Sequence, residues 1–496
     1  MALSSQWRHS SLLLLLQGTW PIPVYFVPCG LLSMASKRIF PLHLSPFEHY
    51  MFLDDSPQYP MTFVERYVFS GDLDRSAFER AFEEALARHP LLTARIQPAK
   101  AGRDCWVAGD TFPEIDWGNY DEPITLPTAG EFIDLRQEPG LRAWVRHDTQ
   151  QAVLTLQFHH ASCDGIGSYQ FLGDLLQGYA LRTGGEVAPL AELDRRTLKD
   201  RNRSGFEPLL TNDQMEHGWR ELRKFMLRRI LPVAPPRNRS DRQPPPPFPG
   251  IQSHVFDKDA YKAFRLACQR DGLTVNDALV TDLFLTMRDW NRSHGRYVVP
   301  GGLCVMVPMD LRQPHEPLRT ACNCVTYALL RRRSGELQDE RGVADFVRAE
   351  MTRLKSQRYF TGFAKLMVMA RYNPRAARWV LRSNKCLASA ILSNTGDPTK
   401  SFYLPLPRKS GLVQCGNLQL ETIEGVPPLR KLTHVTMSIF TYRRDLRICL
   451  RCSPHYFSET GTQQFLDAYV NRLRRRIDHG GSPTNAEETS PAAALG

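Results

Sequence analysis

Residues 159–165 read His-His-Ala-Ser-Cys-Asp-Gly. They follow directly on Ala152-Val153-Leu154-Thr155-Leu156-Gln157-Phe158, an alternating run with the period of a strand. Two histidines at a strand end, then an acid and a glycine before a helix, are the residue types of acid–base chemistry. A neutral imidazole, with an ordinary pKa of about 6.5, accepts a proton at neutral pH without much tuning. Successive side chains on a strand point to opposite faces, so His159 and His160 cannot both address one substrate or one metal ion. One faces the reaction centre and the other is packed or hydrogen-bonded, and the residues alone leave open which. Asp164 has two readings. It could orient the base as in a triad, or point away and pair with a cation behind the site. Gly165 permits a tight turn at the corner.

The arrangement resembles the HHxxxDG signature of CoA-dependent acyltransferases and condensation domains. Further elements resemble that superfamily in the same order: Arg88-His89-Pro90-Leu91-Leu92, Ile133-Asp134-Leu135 with Glu138-Pro139-Gly140-Leu141-Arg142, Thr274-Val275-Asn276-Asp277, Ser393-Asn394-Thr395-Gly396, and Phe457-Ser458 before a helix. The likeness covers about residues 38–478 and points to a stand-alone member. The plant-type string Asp-Phe-Gly-Trp-Gly is absent, which disfavours that subgroup.

The resemblance implies an α+β fold of two pseudo-duplicated chloramphenicol-acetyltransferase-like lobes with the active-site channel between them. It assigns the general base to the second histidine, His160, which would take a proton from a hydroxyl or amine as that group attacks a thioester carbonyl. His159, Asp164 and Gly165 would be structural members of the motif. Asp164 would be held by Arg312, in the element Val307-Pro308-Met309-Asp310-Leu311-Arg312, and the Gly165 N–H would help stabilise the oxyanion. Ser393 and Asn394 would line the substrate channel. The co-substrate would be acyl-CoA or an acyl-carrier thioester, with an acyl carrier protein as a potential partner and no bound cofactor or metal.

Bulk properties fit this reading. The chain has 496 residues, 63 Lys and Arg against 52 Asp and Glu, and a formal charge of +11. A basic surface suits the phosphates of CoA as well as an anionic membrane. No aromatic-glycine RNA motif or zinc-finger spacing accompanies it, so nucleic acid is not expected as a partner. Eleven scattered cysteines argue against a disulfide framework and for a reducing, cytoplasmic compartment. Cys449 and Cys452 are spaced C-x-x-C, but within a strand they face opposite sides, which disfavours zinc. No Gly-x-Ser-x-Gly elbow and no Gly-x-x-x-x-Gly-Lys loop offers a hydrolase or nucleotidase instead.

Along the chain, residues 1–37 read as a poorly ordered extension. The greasy run Leu12–Leu16 is too short for a membrane span, and Met34 is a candidate start. Residues 38–185 form the N-terminal lobe, with a strand over 62–69, helical spacing from Leu73 to Leu86, a strand from Leu91 to Ile96, and a helix after the motif carrying Tyr169, Leu172, Leu175, Leu176 and Tyr179. Residues 186–250 are a basic, proline-rich crossover ending in Pro244–Pro247. Within it, Trp219, Leu222, Phe225, Met226 and Ile230 alternate with basic residues as an amphipathic helix that could touch a membrane surface. Residues 251–478 form the C-terminal lobe, with Thr274 capping a helix and strands at 302–308, 323–330, 387–391, 435–441 and 446–452. Residues 479–496 read as a disordered tail. Two other functions compete with the acyltransferase: a catalytically inactive condensation-like binding module, and a peripheral-membrane wax or glycerol ester synthase.

Overall fold

A computed structural model describes residues 39–98, 104–201, 227, 229–236, 247–295, 301–313, 317–356, 367 and 374–478. The N-terminal extension, the proline run, nearly all of the amphipathic segment 219–230 and the C-terminal tail lie outside the described residues.

The first part of the chain carries strands β1 (Leu42–His43), β2 (Thr62–Ser70), β3 (Ala94–Pro98), β4 (Asp104–Ala108), β5 (Ile115–Asn119), β6 (Leu141–His147) and β7 (Gln151–His159), with helices α1 (Pro46–Asp54), α2 (Arg75–Arg88) and α3 (Gly165–Arg182). The later part carries β8 (Gln252–Phe256), β9 (Gly302–Asp310), β10 (Val325–Arg333), β11 (Ala390–Gly396), β12 (Arg408–Lys409), β13 (Leu412–Cys415), β14 (Leu418–Val426), β15 (Val435–Tyr442) and β16 (Asp445–Cys452). Its helices are α4 (Lys258–Arg270), α5 (Val275–Ser293), α6 (Glu340–Ser356), α7 (Pro374–Arg382) and α8 (Glu459–Asp478).

Two large sheets organise the molecule. One has the order β12-β13-β14-β2-β7-β6-β5 and the other β10-β9-β11-β15-β16-β8, while β1, β4 and β3 make a small third sheet. Residues 408–426 come late in the chain yet complete the sheet of the motif strand, because β14 pairs antiparallel with β2. The two lobes are thereby interlocked.

Burial explains the patterns. Phe63, Tyr67 and Phe69 lie on one face of β2, and pack with Phe78 and Phe82 of α2 and Phe171, Leu172 and Leu175 of α3. On β9 the side chains divide. Leu303, Val305 and Val307 enter the core beneath α5, α6 and α8, whereas Cys304 and Met306 enter a third core with Phe47 and Met51 of α1. Burial on both faces accounts for the nearly unbroken apolar sequence of that strand. Cys449 and Cys452 likewise sit in different cores. All the described cysteines are buried thiols.

Local signals set several helix ends. Thr274 and Asp277 close a reciprocal capping box at the start of α5. Gly184, with φ +76°, follows the end of α3 in the left-handed conformation that suits glycine there. Two expected strands shift. Pro90–Leu92 form a 3₁₀ turn started by the proline, so the strand expected from Leu91 begins at Ala94. The strand expected over 387–391 begins at Ala390 and extends to Gly396, because β15 pairs alongside it in parallel from Ala390 onward.

Candidate active site

β7 lies between β2 and β6, and its last residue, His159, stands opposite Thr62. The next amide, His160 N–H, donates to the Met61 carbonyl at 2.7 Å as the chain leaves the ladder. The two imidazoles then part. His159 is fully buried. Its Nδ1 accepts the Ala161 N–H at 3.1 Å, which places the ring proton on Nε2, 3.4 Å from Asp55 Oδ2 at the end of α1. Asp55 is itself fixed by the Met61 N–H at 2.8 Å. His159 is thus a packing and hydrogen-bonding residue on the α1 side.

His160 turns the other way, into a cavity of about 50 Å³. From the first part of the chain come Phe63, Glu65, His160, Gly165 and Tyr169. From the later part come Ser393, Thr395, Val426, Ser438 and Phe440. The His160 ring meets Phe63 edge-on at 5.1 Å. Burial lowers its pKa to about 4, against the opposing pull of its own backbone carbonyl and of Asp164. The imidazole is therefore neutral at pH 7. A neutral imidazole keeps one ring nitrogen unprotonated and so able to accept a proton. That carbonyl also accepts from Asn323 Nδ2 at 2.6 Å, and the same amide lies 3.4 Å from His160 Nδ1.

Asp164 takes the second of its two readings. It is the N-cap of α3, accepting the Gly167 N–H at 2.8 Å, and it also accepts the Cys324 N–H at 2.7 Å. Arg312 clamps both carboxylate oxygens, Nη1 to Oδ2 at 3.0 Å and Nη2 to Oδ1 at 2.9 Å. Burial alone would raise the carboxyl, but Arg312 and the two amides together hold its pKa below the ordinary value. Arg312 in turn donates to Asp310 at 2.9 Å and to the Cys322 carbonyl at 3.0 Å. The pair fastens the start of α3 to the end of β9 and to the segment bearing Asn323.

Gly165 departs from its expected reason. Its φ is not in the left-handed region, so no turn demands glycine. A β-carbon there would meet only the Tyr169 hydroxyl, at 4.0 Å. What the missing side chain provides is open volume, since Gly165 lines the cavity beside His160. Ser393 and Asn394 are separated by strand alternation. Ser393 lines the cavity with Thr395, whereas Asn394 bonds Asn276 at the start of α5 and the Gly396 N–H instead. Thr395, and not Asn394, lines this cavity beside Ser393. The Arg88–Leu92 element is architectural: His89 accepts the Ala321 N–H at 2.7 Å and lies 3.1 Å from Asp174.

Two cavity or near-cavity residues escaped the sequence reading. Asn323 carries no local signal, being brought to His160 by the fold alone. Glu65 had one: it shares the period-two stripe of Phe63, Tyr67 and Phe69, and an acid inside an apolar stripe is out of place. Burial pushes its pKa up to about 7, against hydrogen bonds from Tyr67 and Ser168. Among the described residues, no cluster of three or more His, Cys, Asp or Glu side chains is placed to hold a metal ion.

The chain resembles other proteins as follows. No family model matches it. An uncharacterized protein of Mycobacterium tuberculosis is 27% identical over 309 residues, which is 60% of this chain and 68% of that protein. A linear gramicidin synthase polypeptide of Brevibacillus parabrevis is 27% identical over 157 residues, covering 28% of this chain and 2% of its own length. Among solved structures, SgcC5 of Streptomyces globisporus superposes with a TM-score of 0.60 at 17% identity, over 88% of this chain and 99% of that one. The first condensation domain of the CDA synthetase gives 0.62 at 14% identity, over 89% and 97%. The fold of this chain is the two-lobed α+β fold that the condensation domain of the CDA synthetase and SgcC5 also have.

Proposed function

We propose that the protein is an acyltransferase that moves an acyl group from CoA or a carrier-protein thioester to a hydroxyl or amine, with His160 as the general base. The observation that carries this reading is a neutral imidazole facing a cavity walled by both parts of the chain. The acceptor hydroxyl or amine attacks the thioester carbonyl carbon, and its proton passes to the free nitrogen of His160. The tetrahedral intermediate then collapses, the carbon–sulfur bond breaks, and the imidazolium returns the proton to the departing thiolate. No covalent acyl-enzyme is required. His159, Asp164 and Arg312 hold the corner, and Gly165 leaves room for the reacting carbonyl. Its N–H, at the start of α3, is offered as an oxyanion donor.

The test is thiol release from acyl-CoA and acyl-pantetheine thioesters against a panel of alcohols and amines. Turnover supports the reading, while tight thioester binding with no product from any acceptor favours the catalytically inactive module. One observation supports peripheral membrane contact as a second reading. Trp379 on α7 is 72% exposed and is accompanied by Arg375, Arg378 and Arg382. No helix among the described residues is long and apolar enough to cross a membrane. Failure to bind anionic vesicles at low salt would count against the membrane reading.

A further inference from the structure

Among the described residues, most buried acids are matched with arginines. Glu48 faces Arg201, Asp164 faces Arg312, Asp174 faces Arg88 and Asp282 faces Arg476. Asp277 is spent on the capping box of α5. Glu65 is different. It is 3% exposed, and its oxygens meet two hydroxyls: Tyr67 at 2.6 Å and Ser168 at 2.7 Å. The Ser168 hydroxyl has one hydrogen and a second acceptor in reach, the Gly165 carbonyl at 2.8 Å. A hydroxyl bonded to that carbonyl would leave Glu65 short of a donor.

The fold also makes space for this carboxyl. Its cross-strand partner on β14 is Gly425, where a β-carbon would come within 3.3 Å of Glu65 Cγ. Glu65 lines the same cavity as His160, alongside the hydroxyl-bearing residues Tyr169, Ser393, Thr395 and Ser438. A desolvated acid beside open volume, without a protein cation among the described residues, leaves room for a cation that arrives with the ligand.

We propose that Glu65 is a specificity-determining residue for the acceptor, receiving a protonated amine that the acceptor carries beside the group to be acylated; this rests on the acyl-transfer reading of the cavity. At neutral pH the carboxyl, with its pKa pushed to about 7 by burial, is partly protonated. An ammonium bound against it ionises it, so binding expels a proton and strengthens as pH rises through that value. The titratable groups around Glu65 are Tyr67 on β2, Cys163 and Asp164 at the corner, Tyr169 on α3 and, in the same cavity, His160, which burial keeps neutral at this pH. Burial raises the tyrosines and Cys163 well above their ordinary values, and Asp164 is held ionised by Arg312, which leaves Glu65 as the group that changes charge near neutrality. Leu156 on β7 and Gly425 on β14, its ladder neighbours, carry no charge.

The experiment is calorimetric titration of the full chain with ethanolamine and with propanol, which are similar in size and differ in charge, in buffers of different ionisation enthalpy. The expected result is about tenfold or greater preference for ethanolamine, rising between about pH 6 and about pH 8 with proton release. Glu65→Gln, which keeps partners for Tyr67 and Ser168, should bind the two alike. Equal binding by the wild type, or a preference that survives in Glu65→Gln, would overturn the proposal. Should that variant fail to fold, a preference in the wild type that does not change with pH would overturn it equally. The titration needs no turnover, so failure of acyl transfer appears separately, as absence of thiol release, and failure of the Glu65 assignment leaves His160-dependent release intact.

Discussion

Arg312 grips both oxygens of Asp164, at 2.9 and 3.0 Å, across 148 positions of sequence. One carboxylate thereby caps α3, anchors the end of β9 and accepts the Cys324 amide beside Asn323. Removing one partner leaves a buried charge uncompensated. Asp164→Ala and Arg312→Ala should each lose about 3–5 kcal/mol of stability by urea denaturation. The double variant should lose less than the sum of the two. The Asp164 carboxyl is depressed in the folded state, so its contribution is present above the ordinary aspartate pKa and is lost as pH falls through its lower folded value. Acid unfolding of Asp164→Asn should lack that component.

His160 titrates in the opposite sense from a histidine that gains an acidic partner. Its folded pKa is lowered to about 4 by burial, so the unfolded chain binds the extra proton first. Stability from this site is fully present above about pH 6.5 and declines toward about pH 4, by roughly 3 kcal/mol. The matching kinetic expectation is that protonation of this imidazole causes no loss of thiol release between about pH 7 and about pH 5. An inflection near the ordinary histidine value that His160→Gln removes would contradict the buried, neutral ring.

Gly165 separates space from strain. Because its φ is ordinary and a β-carbon has room, Gly165→Ala should fold and gain up to about 1 kcal/mol in denaturant melts. Gly165→Leu should also fold but fill the cavity next to His160, and lose thiol release at least about tenfold. Wild-type rates in Gly165→Leu would show that the reacting groups pass elsewhere.

Asn323 holds the His160 carbonyl at 2.6 Å from a segment on the far side of the corner. Asn323→Ala leaves that carbonyl and the adjoining ring nitrogen without their neighbour, at a cost of about 1–3 kcal/mol. If the amide positions the ring, the loss should fall on kcat more than on KM, and Asn323→Asp should not restore it, since a carboxylate cannot donate to a carbonyl. A change confined to melting temperature would reduce Asn323 to a structural residue.

The corner motif was legible because its parts are local. A period-two strand, two histidines and a helix cap lie within about fifteen residues, and Thr274 announced its helix the same way. What the sequence hid was assembled at long range. Residues 408–426 gave no sign that they would join β2, since ladder partners hundreds of positions apart leave no mark on either strand. Asn323 is an ordinary polar residue until the fold carries it to His160. That Thr395 and not Asn394 lines the cavity beside Ser393 follows from the alternation of β11, which a one-residue shift inverts. Glu65 was readable in principle, as an acid on an apolar stripe, but its meaning depended on knowing that the stripe ends at a cavity.

The most direct measurement is thiol release from an acyl thioester, with an acceptor found active for the wild type, compared between the wild type and His160→Ala at matched stability. A general base contributes about 10²–10⁴-fold, so the variant should lose at least about a hundredfold in kcat while still binding the thioester. Equal turnover by the two proteins would contradict the assignment of His160.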